Sequence, residues 1–372
     1  MRVRRLDPSD KRDFDQFWSL PFRIYRETPQ WVPPLEGEMR LVFDRRRHPF
    51  YRHSEADFFV AESEGQVLGR IAVLHPRNYS QVHHQQTGFF YYFEAIDDRQ
   101  VSAGLFAAAL DWARAHGLEV MIGPKGFLRS SGIGLLVEGF EYPPALGIPY
   151  NPPYYEGLVT DQGFEKLTDH LSGYLTRENR LPERLHEMVE KVKKRGGFWI
   201  KTFASKAEMR AWAPRIEEIH RQAFQNNPGY YPSTEEEFSL MAANMIRVAD
   251  PRLVKLIMKG DEVAGFMIGY ANISAAIRRC GGRLFPLGWL YILAEFRRAR
   301  WVDLNGLGLL PAYQGLGGNI LLYNEVEETL LRSRFDFAEI VQVDEQNFKS
   351  RSDMENMGVR WHKRHRTYQL AV

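Results

Sequence analysis

Residues 301–334 read WVDLNGLGLLPAYQGLGGNILLYNEVEETLLRSR, and the order of elements within them decides the architecture. Apolar Leu307 and Leu309 predict a strand, which Pro311 stops. Gly315, Gly317 and Gly318 follow, and then a helix with Tyr323, Val326 and Leu330 along one face. A strand, a glycine turn and a helix in succession aim backbone amides at an anion. The first helical turn leaves its N–H groups unpaired and carries the positive end of the dipole, and glycines let the anion approach closely. Residues 335–343 predict a second strand through Phe337, Ala338, Ile340, Val341 and Val343, followed by a short helix that Gly358 closes.

On these residues the stretch resembles the acyl-CoA-binding signature of the GCN5-related N-acetyltransferase (GNAT) superfamily, hydrophobic-x-Pro-x-Tyr/Phe-Arg/Gln-x-x-Gly-x-Gly/Ala. The match holds at Pro311, Tyr313, Gln314 and Gly317 and departs at Asn319, where the family prefers Gly or Ala. The resemblance implies that the turn from Gln314 through Gly315, Leu316, Gly317 and Gly318 to Asn319 holds the CoA pyrophosphate. It also implies that the main chain at Leu309 and Leu310 pairs with the pantetheine arm. Further on, the family carries an Asn, a small residue, a Tyr and a Gly; those places hold Asn347, Ser350, Met354 and Gly358. Asn347 and Ser350 thereby join the cofactor residues. Met354 stands where the family's Tyr commonly protonates the departing thiolate, and a thioether donates no proton.

At 372 residues the chain is too long for one ordinary domain, so two are expected. A net charge of +2 gives no electrostatic reason to expect nucleic acid. Cys280, the one cysteine, cannot close an intrachain disulfide, and no Cys/His cluster has zinc spacing, so no metal is expected. The N-terminus has basic residues without an apolar core behind them, unlike a signal peptide, and a cytoplasmic location is the expectation.

The halves repeat. Residues 57–62 and 67–74 predict a hairpin, as do 255–259 and 263–268, with Val67-Leu68-Gly69 matched by Val263-Ala264-Gly265. The offset is 196 residues from Gly69 to Gly265 and 195 from Gly163 to Gly358. A repeat this long means tandem domains of one fold. The expected class is α/β with a mixed (α+β) sheet: two tandem acyl-CoA N-acyltransferase domains, the first degenerate. The expected boundaries are 1–178, a charged helical linker 179–196, and an acyl-CoA-binding domain 197–372. The first half has no Gly-x-Gly at its strand-to-helix junction, and Asp97 and Asp98 there suit a helix cap while repelling a pyrophosphate.

The resemblance implies transfer of an acyl group from acetyl-CoA or another acyl-CoA to a small-molecule or peptide amine, by direct attack in a ternary complex. Asp303 is the expected base and Asn305, two residues along the strand, is expected to point the same way. The Leu309 backbone amide is expected to polarise the thioester carbonyl. Tyr230, Tyr231 and Tyr368 are alternatives for the missing acid. Two other readings stay open: a non-catalytic acyl-CoA-binding sensor, and an aminoacyl-tRNA-dependent peptidyl transferase of the tandem type. The apolar run 284–296, LFPLGWLYILAEF, is too short to span a bilayer; Glu295 and the lack of a polar face argue against a membrane-surface helix, and the run is expected to be a buried or interface helix, covering the acceptor site or joining two chains as a homodimer.

Overall fold

The hairpins anticipated at both repeats are present, and each seeds a sheet. The structure, a computed structural model, describes residues 1–225, 227–314 and 318–372. The first half of the chain comprises β1 (Arg2–Arg5), α1 (Lys11–Ile24), α2 (Glu36–Phe43), β2 (Glu55–Ser63), β3 (Gln66–His75), α3 (Arg77–His83), β4 (Thr87–Ala95), α4 (Arg99–Ala115), β5 (Val120–Gly123), β6 (Leu135–Glu138), α5 (Tyr155–Thr160) and β7 (Glu165–Thr176). The second opens with α6 (Glu183–Gly196), β8 (Phe198–Thr202), α7 (Lys206–Phe224), α8 (Glu235–Val248), β9 (Val254–Lys259) and β10 (Glu262–Ala271). It continues with α9 (Ser274–Arg279), α10 (Gly288–Arg298), β11 (Trp301–Leu309), α11 (Gly318–Arg332), β12 (Phe337–Asp344), α12 (Phe348–Asn356) and β13 (Arg360–Ala371).

Two compact units result: Met1–His170 with Ser274–Ala294 and Lys363–Val372, and Leu171–Ile273 with Glu295–His362. This grouping differs from the sequence halves 1–178 and 197–372. Strand pairing is the reason, because the C-terminal strand completes the first sheet. Within unit 1 the order is β1-β2-β3-β4-β5 followed by the later part of β13, antiparallel throughout except for β4 beside β5. Within unit 2 the order is β8-β9-β10-β11-β12 followed by the later part of β7, and β11 beside β12 is parallel.

Each sheet buries one face under the helix that follows its parallel strand. In unit 1, Leu105, Phe106 and Ala109 of α4 meet Phe90, Ile71 and Phe164. In unit 2, Leu321, Leu322, Val326 and Leu330 of α11 meet Val302, Leu304, Ala338 and Ile340. The helix expected as a linker is part of that second core. Leu181 and Val189, with Leu185 and Val192, form a stripe at helical spacing that joins it, and the Leu181 amide donates to Glu327 of α11 at 3.1 Å. Of the two alternatives for the apolar run 284–296, buried or interface helix, burial within the chain is not what is found, since most of its large side chains lie exposed.

Candidate functional site

In unit 2 the parallel strands β11 and β12 pair from Trp301 with Phe337 to Leu304 with Ile340. Among the described residues the pairing ends there, although β11 runs on to Leu309 and β12 to Asp344. The two strands part because β11 carries a bulge. Ile268 of β10 faces Gly306 while Gly269 faces Leu304, so Asn305 is the extra residue. Backbone groups of β11 beyond the bulge thus line a wedge. The Leu310 amide is turned away and donates to the Ala264 carbonyl at 2.9 Å, so by alternation Leu309 presents its amide toward β12. The Leu310 amide expected to meet the pantetheine is therefore committed to the hairpin, whereas the Leu309 amide faces the wedge.

Gly315, Leu316 and Gly317 lie outside the described residues. Gly318 begins α11, and a Cβ there would stand 3.0 and 3.1 Å from the Leu309 methyl carbons, so its bareness lets the helix start close against the end of β11. Asn319, the departure from the signature, turns its amide to Asp353 of α12 at 3.2 Å. Tyr323, one turn on, donates to the same carboxylate at 2.8 Å. Burial, reinforced by that carboxylate, pushes the Tyr323 phenol far above its ordinary range, so it stays protonated. Gln314 donates to the Leu309 carbonyl at 3.3 Å and accepts from Lys349 at 3.0 Å, bringing one cation to the mouth of the wedge. The Asn347 side chain caps α12 by accepting from the Ser350 amide at 3.1 Å, which places both at a helix N-terminus beside the wedge-forming strand. Met354 is buried in the core among α11 and β12 residues and offers the site no donor.

Asp303 faces the opposite side of the sheet from that core. It is 1% exposed and accepts from the Asn272 amide at 3.2 Å. Asn305 does not share its surroundings, being exposed at the bulge, because the extra residue breaks the alternation on which the expectation rested. In register with Asp303 on β12 sits Glu339, 2% exposed, and His362 Nε2 lies 3.9 Å from its Oε1. Stacked Trp301 and Phe337, with Tyr174 edge-on to His362, wall in the pair. Sequence reasoning passed over Glu339 and His362; the available signal was a lone acid inside the apolar run 337–343. On the same face Phe266 of β10 packs beneath His220 and Phe224 of α7. Of the alternative acids, Tyr231 is buried in unit 2, while Tyr368 belongs to unit 1 and donates to Glu156 at 3.0 Å.

Unit 1 has the same register with a different outcome. Gly69 faces Ala95 as Gly265 faces Leu309, and the Ile96 amide donates to Leu68 as that of Leu310 does to Ala264. The Ala95 backbone, equivalent to Leu309, is fully engaged. Its amide donates to the Tyr155 hydroxyl at 3.0 Å and its carbonyl accepts from Tyr154 at 2.9 Å. Tyr155 in turn donates to Glu94 at 2.8 Å, as Tyr25 does at 2.6 Å. Burial raises the Glu94 carboxyl above its ordinary range despite Arg70 nearby. The Lys125 amide donates to the Phe90 carbonyl at 3.0 Å beyond the last paired residues of β4 and β5, drawing that wedge shut. Asp98 caps α4, as its position suggested.

These features define a GNAT fold in tandem. No family model matches the chain. The whole chain superposes on a tandem GNAT protein from the clavulanic acid biosynthesis pathway with a TM-score of 0.56, covering 100% of this chain and 98% of that one at 14% identity. A GCN5-related N-acetyltransferase from Sphaerobacter thermophilus gives a TM-score of 0.51 over 100% and 95% at 15% identity. Two curated proteins are similar in sequence along nearly their full lengths. Protein YghO of Escherichia coli is 28% identical over 98% of this chain and 94% of its own. A bacterial ceramide synthase of Caulobacter vibrioides is 28% identical over 97% and 95%. Among the described residues no helix is long and apolar enough to cross a membrane, and no group of three or more His, Cys, Asp or Glu could hold a metal ion.

Proposed function

We propose that unit 2 is an acyl-CoA-dependent N-acyltransferase that binds one acyl-CoA per chain and passes the acyl group to an amine in a ternary complex. The observation that carries this reading is the contrast between two wedges of one design. The wedge beside Leu309 presents a strand amide next to the bare Gly318 helix start, whereas the one beside Ala95 is plugged by tyrosines. Residues Gln314 to Asn319 would hold the pyrophosphate, with Lys349 adding a cation, and Asn347 and Ser350 at the start of α12 would border the cofactor.

The thioester supplies the activated acyl carbon. The amine nitrogen bonds to it and the carbon–sulfur bond breaks. The Leu309 N–H, aimed into the wedge, polarises the carbonyl. Asp303 takes one proton from the ammonium. No side chain is needed as acid at Met354, because a thiol of pKa about 8.5 leaves readily as thiolate, and the second proton shed by the nitrogen as the amide forms reaches that thiolate through water. The ceramide synthase relative supports a long-chain donor and a long-chain amino alcohol as acceptor, over acetyl-CoA and a peptide. The test is CoA release from acyl-CoAs of graded chain length with a panel of short and long-chain amines. Turnover rising with chain length in both partners supports the proposal. Binding of acyl-CoA with no turnover on any amine would favour the sensor reading, to which Met354 points.

A further inference from the structure

Outside the wedge, the most unusual surface is the segment between α9 and β11. Phe285 is 84% exposed, Leu287 62%, Leu293 52%, and Trp289, Leu290 and Tyr291 are 45–46% exposed. Monomeric soluble proteins seldom leave so many large apolar neighbours in water. Residues 289, 290, 291 and 293 spread over roughly 200° of the circumference of α10, wider than the stripe an amphipathic helix ordinarily buries on its own fold.

The segment is built firmly. A Cβ at Gly282 would come within 2.2 Å of the Pro34 carbonyl oxygen, and the Glu36 amide donates to the Gly282 carbonyl at 2.9 Å. Arg283 pairs with Glu36 at 2.9 Å. A Cβ at Gly288 would strike the Arg283 carbonyl oxygen at 2.0 Å, so only glycine lets α10 fold back that tightly. The apolar tip is thus held out on a fixed base.

Its flanks are mainly basic, with Glu295 of α10 the one acid within 284–298. No acidic residue occurs from 263 to 294, while Arg278 and Arg279 precede the tip and Arg297 and Arg298 end α10, all four exposed. Tryptophan, tyrosine and leucine between arginines fit the boundary between headgroups and acyl chains. An α10 of 11 residues is about 16 Å long, roughly half a bilayer core. A second copy of the chain fits less well, because a two-fold contact through this tip would bring arginines against arginines.

We propose that residues 284–298 dock the protein on a bilayer surface rich in anionic phospholipid, with the apolar tip inserted among the acyl chains and the arginines on the headgroups. This goes beyond the acyltransferase reading and stands without it, since docking requires no turnover. The test is flotation of the full chain with vesicles of phosphatidylcholine and phosphatidylglycerol in equal parts. The protein is expected to float with them, and less with phosphatidylcholine alone or in high salt. Leu290→Asp/Leu293→Asp, both exposed and so compatible with folding, should lower vesicle affinity at least about tenfold. Arg297→Gln/Arg298→Gln should lower it about tenfold on the anionic vesicles only. CoA binding by calorimetry on the same samples should not move, which separates this docking from the cofactor site. The proposal fails if the wild type stays unbound, or if Leu290→Asp/Leu293→Asp floats equally well. It also fails if that variant merely turns a dimer into monomers without any vesicle binding by the wild type.

Discussion

Substituting Gly318 by aspartate separates the cofactor site from the fold. A Cβ at 318 meets the Leu309 methyl carbons at 3.0 and 3.1 Å, so a flexible leucine must yield by a few tenths of an ångström. Overpacking of this mild kind costs about 1 kcal/mol. Leaving glycine in a helix recovers about 0.3–0.5 kcal/mol, and a carboxylate in the first turn of α11 adds about 0.3–1 kcal/mol through the dipole. Thermal unfolding should therefore stay within a few degrees of the parent. Binding should not survive. A carboxylate about 5 Å from one pyrophosphate charge repels it by about 0.8 kcal/mol in water and about 3 kcal/mol at an effective dielectric near 20. Two phosphate charges, together with competition for the same amides, raise the loss to at least about 2.7 kcal/mol, a hundredfold in Kd. Gly318→Ala, carrying the Cβ without the charge, should hold Kd within about threefold. Calorimetric titration with CoA, beside circular dichroism and a melting curve, reads both quantities. A folded Gly318→Asp protein that binds CoA with unchanged Kd would refute the anion site at this helix start.

Titration of the wild type should give one CoA per chain. Tyr155→Phe, which strips Glu94 and the Ala95 amide of a buried partner, should cost about 1–3 kcal/mol of stability without adding a second site in the same calorimetric experiment. Asp303→Asn should lower kcat by about a hundredfold or more with the active amine, whereas Met354→Ala should chiefly lower the melting temperature, a buried methionine truncation costing about 2–5 kcal/mol; the reverse ranking would remove Asp303 as the base. Asp169 is pulled two ways: burial pushes its carboxyl up, but hydrogen bonds from Arg366, Lys166 and Arg364 win and hold it well below the usual range. Its contribution is therefore complete above the ordinary carboxylate pKa of about 3.9 and is lost as pH falls toward the lower folded value. Asp169→Asn should accordingly cost about 3 kcal/mol at neutral pH and less in acid; an equal loss at every pH, followed by denaturant melts, would show that the ion pairs are not the cause.

What could be read in the chain alone was local. The strand and helix of 301–334, the two hairpins 196 residues apart, and the aspartate cap at 98 each depend on spacing and backbone preference within a few residues, and each is present in the structure, while residues 315–317 of the glycine turn lie outside the described residues. Tertiary structure decided what no local rule contains. The bulge that leaves Asn305 exposed while Asp303 is buried depends on how β10 pairs, because an extra residue with no partner opposite it interrupts the strand's alternation. Glu339 comes into register with Asp303, and His362 reaches Glu339, only once β11, β12 and the start of β13, each separated from the next by a helix, are set in place in the fold. The two tyrosines that close the first wedge come from the start of α5 and the residue just before it, some sixty residues beyond the strand they cap. The apolarity of residues 284–296 points to a buried or interface helix, yet a sequence cannot say which, because that depends on whether such a run finds a partner within its own fold. Among the described residues most of its large side chains stay exposed, while close approaches at Gly282 and Gly288 fix the base of the segment.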